Sequence, residues 1–511
     1  MRRMLWTGAV GLVACSAPAQ PAAEPTTIPT ATTQARNSSP AAPPQPAAPP
    51  PTSPPADPVA PPSVSQDVAY STHRITWVYE APSVASRKLG YLSVGVPVAL
   101  RERGLRSASD KCRRGFYAVQ PTGFVCADQN VTTDPSHPVV AAVREVQGKQ
   151  DRAYPFRYGL SLGAPMYNKL PDRKTHEIVM MRYPSQRKHV GDWARSFLDM
   201  DAGESIRADS EVPSFLRDGK PGPNATNGWV RRSIPHSSLL SYTRAFEHDG
   251  RVWLLAADFS VVPADRVVPF RRTTFQGVEL SEGQRLPLAW ACRTDREKLR
   301  MSATGDLERT GQSWSARQQV PLSGRSTQVR RIRYLEAADG TWIAASNLCE
   351  ARQVDKLPDG VGSEERWIHL SMMENTLVAY RGLQPVYATL HSPGRGGTHR
   401  GKGDVRQYTT PLGSFPINWK ERWATLSPDP GAPTSFWISD VPGVQYFAQP
   451  YALHGAYWHE SFGAPMSAGC PNLAPADAVW LLDFSDPPLP DGWQAVGPAR
   501  GQKGTMVVVG P

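Results

Sequence analysis

Several things are missing from this sequence, and each absence closes off a class of function. The chain carries a net charge of +10 over 511 residues. Yet it has no helix-turn-helix pattern, no cysteine/histidine finger and no repeat interleaving aromatic with basic residues, so its basic residues are scattered rather than gathered into a nucleic-acid footprint. Nucleic acid is not an expected partner; the positive charge reads as a solvated surface suited to an anionic envelope polymer. Cysteine is scarce, with six residues in all. Proline is the opposite: 51 residues, about twice the average usage. A chain of this length and composition calls for several domains plus a stretch that forms no core.

The N-terminal MRRMLWTGAVGLVAC places Arg2 and Arg3 before an apolar run too short to span a membrane, which is the layout of a secretion signal. The run closes on Leu12-Val13-Ala14-Cys15, which resembles the lipobox of bacterial lipoproteins. That resemblance implies cleavage before Cys15, a diacylglyceryl thioether on its sulfur and acylation of the new N-terminus. With Ser16 next, it also implies the periplasmic face of the outer membrane. Ordinary signal-peptidase cleavage, discarding Cys15, is the other outcome. Residues 16–68 then form a proline- and alanine-rich tether in which Glu24, Arg36 and Asp57 are the charged residues as far as Gln66. Such a composition cannot bury enough apolar surface to fold. About fifty residues of extended polyproline would reach roughly 150 Å, far enough to let folded domains search a distant layer.

Export to an oxidising compartment favours disulfides. If Cys15 carries lipid, five cysteines remain. Cys112 and Cys126 flank the strand-like FYAVQPTGFVC as a local cross-link would, and Cys292 and Cys349 can close a longer loop. Cys470 is then left over, a flag for reactivity. Residues 69–136 alternate apolar and polar residues between glycine and proline turns and read as a small antiparallel β domain. Its closing phrase, Gly123-Phe124-Val125 to Asn130-Val131, is echoed at Val261–Val267 and Gly340–Leu348. The pattern resembles the end of bacterial SH3-like modules, small β-barrels common in cell-wall enzymes. Further such modules are expected within a β-rich middle region, 139–365, although unrelated β structure would end its strands in the same way.

From residue 366 to 511 the chain alternates strand-like runs with turns, beginning with two strands that turn at Arg381-Gly382. It then reaches HGAYWHESFGAPMSAGCPN, from His454 to Asn472. Pro475 suits the first turn of a helix whose apolar face is Ala478, Leu481 and Leu482. Cysteine attacks a carbonyl as thiolate and needs a base to take its proton and later return it. His454, at the end of the apolar strand Tyr451-Ala452-Leu453, is placed for that work. A turn at Gly469-Cys470 offers backbone N–H donors for an oxyanion. Zinc would use His454, His459 and Cys470, but a structural site wants a fourth ligand and tighter spacing. No metal or cofactor is expected.

The segment resembles the L,D-transpeptidase catalytic domain, the YkuD family, through His454-Gly455, Ser467, Gly469, Cys470 and Asn472 in order and spacing, with Thr410-Pro411-Leu412-Gly413 upstream. The likeness covers 366–511 and implies a mainly β sandwich with a short helix after the nucleophile. It makes Cys470 the nucleophile, His454 the proton donor and acceptor, and Gly469 a backbone oxyanion donor. Asn472 and Ser467 shape the substrate site, and His459 and Tyr446 line its cleft. The implied substrate is a peptidoglycan tetrapeptide stem, attacked to give a cysteine thioester in wall cross-linking or remodelling. A papain-like endopeptidase places its cysteine before its histidine, the reverse of this order. Two departures stand out: Ala468, where the family usually has a basic residue, and Pro471, where it has a β-branched one. They motivate the alternative of a catalytically degenerate, peptidoglycan-binding lipoprotein.

Overall fold

The computed structural model describes residues 67–102, 104–109, 111–128, 130–146, 152–183, 205–281, 285–400, 408–426 and 437–511. The signal segment, Cys15 and the tether as far as residue 66 lie outside the described residues. The last tether residue is reassigned: Val68 opens the strand Val68–Ser71, which pairs with Pro97–Ala99 and Val131–Thr132. Its backbone groups are drawn into a sheet, so the expected boundary moves back toward the N-terminus by one residue.

The described chain is mainly β. Short strands from Val68 to Thr132 enclose a core of Ala69, Val78, Leu89, Leu92, Val98, Val119 and Val125. A helix, Pro138–Val146, then leads into a second group of strands between Arg157 and Pro269, and a third group runs from Leu288 to Ala351. The echoed phrases share one local geometry. Val261–Pro263, a 3-10 turn at Ala264–Arg266 and Val267–Pro269 match Trp342–Ala344, a 3-10 turn at Ala345–Asn347 and Leu348–Ala351. The stretch HEIVMMRYPSQRKHVGDWARSFLDM, from His176 to Met200, lies between the strands Ala164–Tyr167 and Val230–Ile234. The helix Arg173–Met180 covers its start, N-capped by Asp172, whose carboxylate accepts from Thr175 N–H at 2.7 Å. Residues 184–200 of that stretch lie outside the described residues.

The C-terminal region is a sandwich. One sheet runs in the order β3 (Gln384–Leu390), β2 (Thr376–Arg381), β1 (Arg366–Ser371), β10 (Met506–Gly510), β5 (Thr410–Pro416) and β4 (Thr398–Arg400). The opening thus holds three strands rather than two. Asn375, with φ of 55°, makes the first turn, and Gly382 the second. The facing sheet contains β6 (Trp419–Leu426), β7 (Ile438–Ala448), β8 (Tyr451–Gly455), β9' formed by the two residues Asn472-Leu473, and the strand Trp493–Val496. Ile368, Leu370, Leu377 and Ala379 of the first sheet meet Phe447, Tyr451 and Leu453 of the second. Leu473, Ala478 and Leu481 close the layer. The helix Pro475–Phe484 follows the Cys470 segment with Pro475 in its first turn, as its sequence requires.

The sandwich does not stand apart from what precedes it. Val278-Glu279 adds an edge strand beside β3, with Val278 opposite Ala388. Lys88–Leu92 of the first module pairs with Trp493–Val496, and Leu239 of the second pairs with Ile438. The second sheet is therefore continuous with both modules.

Candidate active site

Strand pairing assembles the site. His454-Gly455, the last residues of β8, run parallel to Asn472-Leu473, with His454 opposite Asn472. This places the strand-end histidine two residues along from Cys470. On its other side, Asn472 is locked to Ser392: Asn472 N–H donates to Ser392 O at 2.9 Å, and Ser392 N–H returns a bond at 2.8 Å. Pro471 stands immediately before this two-residue strand, and the ladder bond is made by Asn472 instead. Its missing N–H therefore costs no pairing.

His454 is buried, and its Nδ1 lies 3.2 Å from Gly455 O. A carbonyl oxygen can only accept, so Nδ1 carries the proton and Nε2 holds the lone pair a base needs. Trp458 lies along the same ring, with centroids 5.9 Å apart. Cys470 lies outside both disulfides, is 8% exposed, and has its sulfur 4.0 Å from Pro450 O.

The turn before the cysteine is built from Ser467 and Gly469. Ser467 Oγ accepts from Gly469 N–H at 3.0 Å, while Thr410 Oγ1 donates to Gly469 O at 2.8 Å. Gly469 has φ of 130°, and a Cβ there would approach Thr409 O and the Tyr451 ring to 2.8 Å. Only glycine fits. Its N–H is spent on the serine, so the oxyanion role expected of Gly469 requires that bond to be released first. The strip Ser392-Pro393-Gly394 supports the turn from below: Pro393 O accepts from Met466 and Ser467 N–H, and Gly394 N–H donates to Thr410 Oγ1. Sequence reading passed over this strip, whose contacts are long-range and leave no local pattern.

His459 is reassigned by its surroundings. Its Nδ1 accepts from Ser461 N–H at 3.1 Å, and its Nε2 lies 2.9 Å from the Asn472 amide. Burial pushes its pKa down to about 3, with His454 and Arg317 acting in the same direction. A neutral ring accepting at Nδ1 bears its proton at Nε2, so the Asn472 amide, whose nitrogen faces Nε2, pairs with it once turned over to present its oxygen. His459 therefore fixes Asn472 instead of lining an open cleft. Tyr446 lies opposite Ala452 on β7, hence on the same face as His454, but it is 1% exposed and sits deeper than the cysteine. Trp458, half-buried beside the His454 ring, is a neighbour that sequence reading did not single out.

The helix after Cys470 is fixed at both ends. Asp477, fully buried in its first turn, accepts from Gly277 N–H and the Tyr387 hydroxyl, each at 2.8 Å, and from the Thr389 hydroxyl. Burial raises its pKa to about 6, against the pull of those donors. At the other end Lys420 Nζ donates to Leu482, Ser485 and Pro487 carbonyls at 2.7–2.8 Å. An ammonium there suits the negative end of the helix. The disulfides Cys112–Cys126 and Cys292–Cys349 both form.

The site thus brings a strand-end histidine and a buried thiol, carried on a Ser-x-Gly-Cys turn, into one β-sandwich. Residues 365–509 match the family model for the L,D-transpeptidase catalytic domain (YkuD), and this part of the chain is such a domain. Among solved structures the chain is similar to an L,D-transpeptidase from Xylanimonas cellulosilytica at 23% identity. That likeness covers 30% of this chain and 64% of the other, with a TM-score of 0.21. It is also similar to the catalytic domain of an E. faecium L,D-transpeptidase at 19% identity, covering 29% and 98%, with a TM-score of 0.21. L,D-transpeptidase 3 from Mycobacterium tuberculosis, solved with a faropenem-derived adduct, is 14% identical over 37% and 78%, with a TM-score of 0.21. No curated relative matches the chain. No SH3-like module is named by any of these matches.

Proposed function

We propose that the protein is a peptidoglycan L,D-transpeptidase acting through a cysteine thioester. The observation that supports this reading is the parallel pairing of His454-Gly455 with Asn472-Leu473, in a register two residues from Cys470, with a lone pair on His454 Nε2. In the proposed cycle the Cys470 thiol gives its proton to His454 Nε2 and adds to the carbonyl of the third residue, a diamino acid, of a tetrapeptide stem. Collapse of the tetrahedral intermediate breaks the peptide bond. The departing D-alanine amine takes the proton from His454, leaving a thioester on Cys470. An acceptor amine then gives a proton to His454 and attacks the thioester, and the thiolate leaves and is reprotonated. The absence of a basic side chain at Ala468 removes one charge from this scheme and neither of its reacting groups.

The wider setting is proposed with it. Lipid on Cys15 would hold the chain at the periplasmic face of the outer membrane, the tether would span the gap to the wall, and the β modules, SH3-like in their strand–turn–strand echo, would engage it. Incubating the full chain with a carbapenem tests the catalytic reading by intact mass. One adduct is expected, absent from Cys470→Ala. A chain that binds isolated sacculi but never forms the adduct would instead be the degenerate, binding-only lipoprotein.

A further inference from the structure

The third β module reaches into the site from outside the matched residues 365–509. Arg317, at the turn between the strands Leu307–Trp314 and Gln319-Val320, makes an ion pair with Glu460 at 2.8 Å. Both side chains are largely covered, at 19% and 30% exposure. Arg317 adopts φ of 64°, a conformation that a non-glycine residue keeps only where its surroundings over-determine it. Its own N–H is anchored to Ala291 O at 2.7 Å. Glu460 follows His459 directly, and His459 meets Asn472, two residues past the nucleophile.

A second contact fixes the same loop. Phe462 is fully buried in a core shared with Leu288, Trp290, Cys292 and Cys349 of the module and Trp367 of the catalytic region. At Gly463 a Cβ would lie 3.2 Å from the Cys292 sulfur and 3.3 Å from the Cys349 sulfur, so the disulfide forms the floor under the loop. Gly463 O also accepts from the Asn375 side-chain amide at 3.2 Å. The loop from Trp458 to Gly463 is thus clamped between two parts of the chain, one of which precedes the catalytic domain.

We propose that Arg317 is a positioning residue for Cys470, acting from the preceding module through Glu460 and the loop that carries His459 and its contact to Asn472. The inference rests on the transpeptidase reading. In it, the module is a working part of the site, not a spacer. A loosened loop would shift the Asn472 amide and the strand end that sets the thiol against His454.

The test compares the full chain with Arg317→Ala, Arg317→Lys and the charge-swapped double variant Arg317→Glu/Glu460→Arg. The rates measured are Cys470 acylation by a carbapenem and Cys470 alkylation by iodoacetamide, both by intact mass, beside thermal melts. Acylation by Arg317→Ala is expected to fall about tenfold. Arg317→Lys and the swap should return it to within about threefold of the parent. A parent-like rate in Arg317→Ala would overturn the proposal, as would a loss that neither Arg317→Lys nor the swap repairs while all variants melt alike. If the parent is alkylated at Cys470 but never acylated, the transpeptidase reading fails by itself. The alkylation rates of the same variants then decide the brace, a parent-like rate in Arg317→Ala overturning it.

Discussion

The two disulfides sit in unlike surroundings. Cys112–Cys126 joins positions 14 residues apart, in a module whose strands share their core with Trp493 and Val496 of the strand that follows the C-terminal helix. Cys292–Cys349 spans 57 residues and shares its core with Phe462, Trp367 and Ala456 of the catalytic region. Chain-entropy arguments assign about 3 kcal/mol to the shorter closure and about 4 kcal/mol to the longer, a small difference. What separates them is position: one restrains a module remote in sequence from the Trp458–Gly463 loop, while the other is the surface on which that loop rests. The same kind of bond therefore serves a module's stability in one place and a site's geometry in the other.

Replacing each pair by serine should separate those roles. The Cys292→Ser/Cys349→Ser double variant is expected to lose about 4 kcal/mol. It should also slow Cys470 acylation at a temperature where it is still folded. Cys112→Ser/Cys126→Ser should lose about 3 kcal/mol and acylate at the parent rate. Denaturant unfolding and intact mass read the two effects. Equal slowing by both pairs would erase the distinction.

A smaller effect concerns pH. Asp477 holds its proton more tightly in the folded state, with a pKa near 6 against an ordinary 3.8. The folded protein therefore binds more protons than the unfolded chain between about pH 4 and 6, so the stability it contributes is present below that window and lost as pH rises through it. Asp477→Asn should flatten this dependence, a difference of order 2–3 kcal/mol across the window by denaturant titration. An unchanged slope would mean that the donors from Gly277, Tyr387 and Thr389 cancel the effect of burial.

Much of the site was legible before the fold. The order His454-Gly455, Ser467, Gly469, Cys470, Asn472 is local in sequence, and Pro475 marks the following helix because its missing N–H falls where no helical bond is made. The leftover cysteine followed from counting, and both disulfides formed as paired. Contacts between distant segments were not legible. The Val278-Glu279 edge strand, the Ser392–Gly394 support and the Arg317–Glu460 pair each join residues far apart, and no periodicity announces such partners. Gly469 shows a finer limit. Its glycine was foreseen for a turn, but whether its N–H faces a substrate or the Ser467 hydroxyl depends on one side-chain rotamer.

The most direct test is single-turnover intact mass of the full chain with a disaccharide-tetrapeptide. The expected species is a Cys470-linked acyl-enzyme lacking the terminal D-alanine, absent from Cys470→Ala and cleared when an acceptor amine is added. Binding of the tetrapeptide with D-alanine retained and no mass change at Cys470 would contradict it.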